Sequence, residues 1–478
     1  MPKQQDGLIA VVKRDCPTCE LVQPVLKQLS DAGALTVYSQ DDPTFPDNLD
    51  GVIDDRSLEQ SFRHDIEFVP TLIRVENGKE TSRTFGWNRD EWQAVSGINK
   101  LGDGLPENQP GCGSKSIEPF IAEKLEARYG EKTFTSKGHD ISDWHDDVEY
   151  AFDMGWTDGL PIVPPTDDRI IRMLQGTDRD PNEVVGIVPP DLIECTVEKV
   201  AINAVMAGCK PEYMPVVLAC LEAALLPKFA LHGVLCTLNF AGPVIVVNGP
   251  ITKAIGMNAK GNCLGQGNRA NATIGRALQL IVRNVGGGRP QEIDRAVFGN
   301  PGKYTYCFPE DETDEDWTPL HVARGCKPGS NAVTLHHGHG LTGIIDHKAR
   351  TADELARSMA MQLVNEGHPK LAEKANVILA ISPEHYRVFQ NDGWGRAEIE
   401  EALHKYTTRP GKDLIRGAQG IGEGIGEENA DRDVPKYWRD HGILVVRCGG
   451  PAGQISAIIG GWSGGRNREE IQPVTLEF

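Results

Sequence analysis

Two of the eleven cysteines are spaced for chemistry: Cys16 and Cys19, in Asp15-Cys16-Pro17-Thr18-Cys19. A thiolate at a helix N-terminus is favoured by the helix dipole and by free backbone amides, so Cys16 is expected to attack and Cys19 to resolve. No second CxxC is present to complete a four-cysteine zinc site. A further thiol candidate is Cys236, four residues after His232, which would serve as its base if the intervening turn is helical. Cys448 follows the strand-like ILVVR and precedes glycines that would let backbone amides approach a ligand. Cys195, Cys209 and Cys220 lie in or beside apolar helices and read as packing.

Other segments point to binding. Gly261 to Asn271 is glycine-rich and runs into the helical ATIGRALQLIV, so Gly265, Gly267, Asn268, Arg269 and Arg276 are expected to hold a small organic anion at a helix N-terminus. Asn248 and Gly249, after the strand-like PVIVV, are candidates for the same ligand. His336, His337 and His339 form the densest histidine cluster, with a spacing that suits a divalent metal and Asp346 as a carboxylate partner. The acidic run from Glu310 to Asp316 reads as a solvated loop, and the glycine-rich 417–426 as a mobile lid.

The elements that must position these groups divide the chain. Residues 1–100 read as strand, CxxC, helix, strand, helix, then Val69-Pro70-Thr71 before a strand, an Asn77-Gly78 turn, a last strand and a short helix. Residues 101–138 are rich in Gly, Pro, Asn and Ser around one charged helix and read as a linker. From 139 to 478, strands alternate with long helices, which argues for a large α/β module, divisible near residue 330. A net charge of −19 with no basic stripe argues against nucleic acid and anionic membranes. No apolar run approaches the roughly 18 residues a membrane span needs, and the N-terminus lacks a secretory pattern, so a cytoplasmic location is expected. The glycine-rich apolar middle is compatible with a homo-oligomer.

Residues 1–100 resemble thioredoxin in the CxxC after the first strand, Val69-Pro70-Thr71, the Asn-Gly turn and Gly86-Trp87. The resemblance implies a thioredoxin-like fold with a redox-active disulfide and a cis peptide before Pro70 facing the dithiol. The large module resembles a bacterial family found alongside UGSC-type thiol and selenocysteine proteins, in GWTDGLPIVPPT, VEKVAINAVMAGCKPEYMPVV, VNGPI, GNRANATIGRA, NPGKYTYC, SPEH and GGPAG. Cys112-Gly113-Ser114-Lys115 is similar to the first three UGSC positions, with lysine in place of the closing cysteine, which leaves Cys112 without a resolving partner. These features lead to the expectation of a thiol-dependent oxidoreductase whose dithiol feeds electrons to a thiol in the large module, for reductive carbon–heteroatom cleavage of a small organic anion. Two alternatives stay open. One is a lyase or hydrolase, metal-assisted through the histidines, with the first domain as protector. The other is a thiol-exchange or metal-handling partner of a UGSC-type or other thiol protein.

Overall fold

The computed structural model describes residues 6–33, 35–131, 134–142, 146–373, 375–462 and 471–478. Two compact units result: Met1–Thr133 with Asp167–Ile171, and Phe134–Thr166 with Arg172–Phe478.

In the first unit, β1 (Gly7–Val12) is buried along almost its whole length, as a central strand requires. Chain order continues with α1 (Pro17–Leu21), α2 (Gln23–Ala32), β2 (Leu35–Ser39), β3 (Ile53–Asp54) and α3 (Glu59–Arg63). Next come β4 (Phe68–Val69), β5 (Thr71–Glu76), β6 (Lys79–Phe85), β7 (Trp87–Asn88), α4 (Arg89–Ser96), β8 (Asn108–Gln109), β9 (Cys112–Gly113) and α5 (Ile121–Tyr129). The main sheet has the order β3-β2-β1-β5-β6, with β1 parallel to β2, β2 parallel to β3, and β5 antiparallel to β1 and β6. Pro17 at the first turn fixes a helical φ where no amide partner is needed, and Pro24 does the same for α2.

The segment after 100, expected as linker, belongs to this unit. Leu101 is buried in its core, Leu105 packs against that core, and Trp87 Nε1 donates to the Pro106 carbonyl at 2.7 Å. Two short ladders, β7 with β8 and β4 with β9, pair its backbone to the domain. Composition suggested a linker because the segment holds few large apolar residues. Backbone pairing and close glycine contacts need none.

The second unit contains α6 (Asp147–Asp153), the C-terminal turn of α7 (Asp167–Leu174), β10 (Val184–Val188), β11 (Ile193–Thr196), α8 (Val197–Ala207), α9 (Met214–Leu225) and α10 (Leu231–Cys236). Then follow β12 (Gly242–Asn248), α11 (Ile251–Ala254), α12 (Arg269–Asn284), β13 (Cys307–Pro309), α13 (Leu320–Ala323), β14 (Ala332–Ile345), α14 (Ala352–Asn365) and β15 (Val377–Ile381). The chain ends through α15 (Pro383–Asn391), α16 (Arg396–Thr407), β16 (Arg409–Pro410), β17 (Asp433–Val434), β18 (Ile443–Arg447), β19 (Ile455–Gly461) and β20 (Val474–Glu477). The chain is thus mixed α/β. Its larger sheet has the order β13-β12-β14-β19-β15-β18, with β20 also paired to β14. Strands β12 and β13, and β15 and β18, are parallel; the other pairings are antiparallel.

Alternation along the strands sorts side chains between two cores. Val377, Leu379, Ile443 and Val445 enter the core built with α14, α15 and α16. Ile378, Ala380, Leu444 and Val446 enter the opposite one, and Cys448 continues that second register. Helix α9 is buried on nearly every side between α8, α12 and β14. Among the described residues, no single helix is long and apolar enough to cross a membrane.

Candidate functional site

Cys16 is the N-cap of α1, in extended conformation (φ −155°, ψ 111°), and its Sγ accepts from the Cys19 amide at 3.3 Å. The same sulfur lies 3.5 Å from the Val69 carbonyl oxygen, to which the thiol form donates, and the Val69–Pro70 bond is cis. Hydrogen bonds from the Cys19 thiol, the Cys112 thiol and the Cys19 and Thr18 amides hold Cys16 well below an ordinary thiol, at about 5, against the opposing effect of burial. Burial pushes the Cys19 thiol far up, helped by its bond to Cys16. One sulfur is set to be a thiolate and its neighbour a proton-holding thiol, the division that thiol–disulfide exchange needs.

The other notable thiols are in the second unit. Cys448, just after β18, and Cys263, in the turn before α12, meet because their segments are zipped together. Lys260 and Gly449 form a parallel bridge, the Gly449 amide donates to Ala259 at 2.8 Å, and a Cβ on Gly450 would lie 3.4 Å from the Gly261 Cα. Hydrogen bonding to the Cys448 thiol comes first among the effects that lower Cys263, assisted by backbone amides of 263, 264 and 449. Its bond to Cys263, then burial, then the charges of Cys263, Glu310 and Asp311 push Cys448 far up. The pair shows the same opposition of directions as Cys16 and Cys19, one thiol lowered and its neighbour raised. Tyr306 borders both sulfurs, and burial followed by their negative charge keeps its phenol protonated. Asn271 fixes the loop, donating to the carbonyls of Asn258 (2.9 Å) and Cys263 (3.0 Å) while accepting from the Asn258 amide (3.1 Å). The chain matches no known family model, no curated protein and no solved structure.

Sequence reasoning named Cys448 and the loop containing Cys263 separately, and gave Tyr306 and Asn271 no role. Tyr306 stood within NPGKYTYC, which was the available signal. His232 and Cys236 do share the helix α10, but both are exposed and no hydrogen bond joins them among the described residues.

The expected anion ligands are committed elsewhere. Asn268 caps α12 through the Asn271 amide at 3.0 Å and donates to Gly256 at 2.8 Å. Arg269 holds the carbonyls of Gly208 and Cys209 at the end of α8. Arg276 makes two 2.8 Å bonds to Asp158 and also bonds the carbonyls of Leu160 and Pro161, so it secures the GWTDGLP segment. Gly265 packs against the Asn262 side chain, and Gly267 lies in a positive-φ turn. Asn248 donates to Glu310 and Glu312, both at 2.7 Å, and the Gly249 amide to Glu312 at 2.8 Å, so internal carboxylates take the place of a ligand. The acidic run is correspondingly not all solvated. Glu310 is buried, pairs with Arg396 at 2.6 Å and accepts from Trp317 and the Leu320 amide.

Among the described residues, no group of three or more His, Cys, Asp or Glu is placed to hold a metal ion. His336 and His337 are buried in β14. His337 stacks on Phe229, with ring centroids 4.4 Å apart, and bonds the Phe229 carbonyl at 2.6 Å. His339 packs by Phe240. Burial lowers all three, His337 and His339 to about 4, so they are neutral core side chains near pH 7. Asp346 spends its carboxylate on the amides of Lys348 and Ala349. The glycine-rich 417–426 is pinned by the buried Lys370, whose ammonium donates to the carbonyls of Ile415, Ala418 and Ile421.

Proposed function

We propose that the protein is a thiol-dependent oxidoreductase in which a thioredoxin-like dithiol, Cys16 and Cys19, recycles a second thiol pair, Cys263 and Cys448. The observation that carries this reading is the placing of Cys16, whose sulfur caps α1, accepts from the Cys19 amide at 3.3 Å and lies 3.5 Å from the Val69 carbonyl oxygen. The strand order and the Cys16 contact to Val69 support the thioredoxin-like reading. The Cys263 and Cys448 pair supports a redox step in the large unit better than Cys236 does, because two sulfurs in contact can close a disulfide.

In the forward half-reaction, the Cys263 and Cys448 thiols lose two electrons and two protons and close a disulfide while a carbon–heteroatom bond of a small organic substrate breaks, the carbon gaining one hydrogen and the heteroatom leaving protonated. In the recycling half, the Cys16 thiolate attacks that disulfide, one large-unit thiolate leaves, and Cys19 attacks Cys16 to release the other. Cys16 and Cys19 end oxidised and the large-unit pair ends reduced. Joining both units in one chain gives an effective concentration of about millimolar, which favours this exchange over encounters between dilute chains.

The test oxidises the full chain with a small disulfide and follows reduction of the Cys263–Cys448 bond by dithiothreitol, using differential alkylation and mass spectrometry. The reading expects reduction to slow about tenfold or more in Cys16→Ser, as loss of a millimolar internal reductant implies. Equal rates in the two proteins would remove the recycling role. Absence of a Cys263–Cys448 bond after oxidation would remove the large-unit pair.

A further inference from the structure

The first unit holds a third sulfur beside the dithiol, and the fold takes trouble to keep it there. Strand β9 pairs antiparallel with β4, placing Cys112 directly opposite Val69, the residue whose carbonyl faces Cys16 Sγ. Cys112 and Cys16 act on one another through their sulfurs, Cys112 lowering the Cys16 thiol and Cys16 raising that of Cys112.

The approach of this strand depends on two glycines. A Cβ on Gly111 would sit 2.8 Å from the Val69 oxygen, and one on Gly86, where φ is +67°, would sit 2.8 Å from the Gly111 nitrogen. Any side chain at either place would push the strand off.

The segment is also fastened on both sides of Cys112. Thr18, inside the CxxC, donates to the Pro110 carbonyl at 2.6 Å and accepts from Gln109 at 3.1 Å. Lys13 donates to the Gly113 carbonyl at 2.9 Å. Ser114 donates its amide to Glu67 at 2.9 Å and accepts from the buried Gln40 at 2.7 Å. Cys16 and Cys19 are both buried, and Cys112 is the most exposed of the three. A strand added at the edge of β4 with a sulfur opposite Val69 has the geometry of a peptide docked by strand addition. Here the chain supplies that peptide itself.

We propose that Cys112 is a third redox thiol of this site, a second resolving thiol beside Cys19 that clears mixed disulfides from Cys16 by forming a Cys16–Cys112 bond. The proposal rests on the reading of Cys16 and Cys19 as a working dithiol. The Cys16 thiolate attacks a target disulfide; its S–S bond breaks, one target thiolate leaves and takes a proton from water, and the other half stays on Cys16. Cys112 loses its proton and attacks Cys16 Sγ, the bond to the target breaks, and the second target thiolate leaves. Two protein thiols have been oxidised and one target disulfide reduced, a balanced two-electron exchange. Cys19 then attacks Cys16 from the buried side, freeing Cys112.

The test uses full-length Cys19→Ser and Cys19→Ser/Cys112→Ser, each treated with oxidised glutathione and mapped by mass spectrometry without reduction, beside the wild type. The expected result is a Cys16–Cys112 bond in the single variant, and a glutathione adduct on Cys16 that lives about tenfold or more longer in the double variant, as an internal thiol at millimolar effective concentration implies. Equal adduct lifetimes, with a Cys16–Cys19 bond forming normally in the wild type, would overturn the role of Cys112 alone. A wild type that forms neither bond would overturn the dithiol reading and this proposal with it.

Discussion

At the residue scale, both thiol pairs turn on which sulfur keeps the proton. Cys16 is surrounded by groups that either donate to its thiolate or compete for the same proton: Cys19, Cys112 and the Cys19 and Thr18 amides. Lys13, whose ammonium is held by the Gly113 carbonyl, adds positive charge on the Cys112 side. Cys16 alkylation by iodoacetamide should therefore be nearly independent of pH above about 6 and fall as pH drops through about 5. Removing a donor destabilises the thiolate, so Cys112→Ala should move that inflection upward. An unchanged inflection would show that Cys112 does not bond the thiolate. In the second unit, Cys263 should be alkylated well before Cys448 at pH 8, and Cys448→Ala should slow it, because the donor that lowers Cys263 is gone.

At the element scale, two short backbone segments decide whether these sulfurs meet. Strand β9 reaches β4 only because 111 is glycine. Gly111→Val should displace the strand, raise the alkylation rate of Cys16 several-fold and cost about 1–3 kcal/mol, the usual penalty for forcing atoms into a filled place. A rate and a denaturation midpoint like the wild type's would mean the strand does not cover Cys16. The turn carrying Cys263 depends on Asn271. Asn271→Ala leaves the buried Cys263 carbonyl without that donor, for an expected loss of about 1–3 kcal/mol. The same change should weaken the preference for Cys263 over Cys448 in alkylation. Urea melts and labelling of the same samples would check both.

At the scale of the whole molecule, each unit has its own sheet and core, so calorimetry of the full chain is expected to resolve two transitions. Oxidation confined to Cys16 and Cys19 should shift one transition and leave the other in place. Glu310→Ala should shift only the transition of the larger unit, by removing the partner of a nearly inaccessible arginine. Arg396 keeps Glu400 at 3.5 Å and the Thr318 carbonyl at 2.8 Å, so the expected loss is about 1–3 kcal/mol, the cost of one buried hydrogen-bonded partner. If both transitions moved together in these two proteins, the units would be melting as one.

The sequence by itself determined what is written locally. The CxxC, its strand and helix neighbours, the turn at Asn77-Gly78 and the α/β alternation of the larger region depend on spacing along the chain, which sequence periodicity reports. Assigning 101–118 to the first unit was beyond such reading, because backbone pairing and glycine contacts leave no apolar period. The tertiary structure alone decided that Cys112 lies by Cys16 with 95 residues between them in the chain, and that Cys263 meets Cys448. It also buried His336 and His337 within β14 and gave the arginines of α12 and Glu310 internal partners. Residue type announces what a side chain can bond. Only the folded chain determines whether its bonding capacity is already used by another part of the protein, since a buried polar group is satisfied by whichever partner the packing brings within reach.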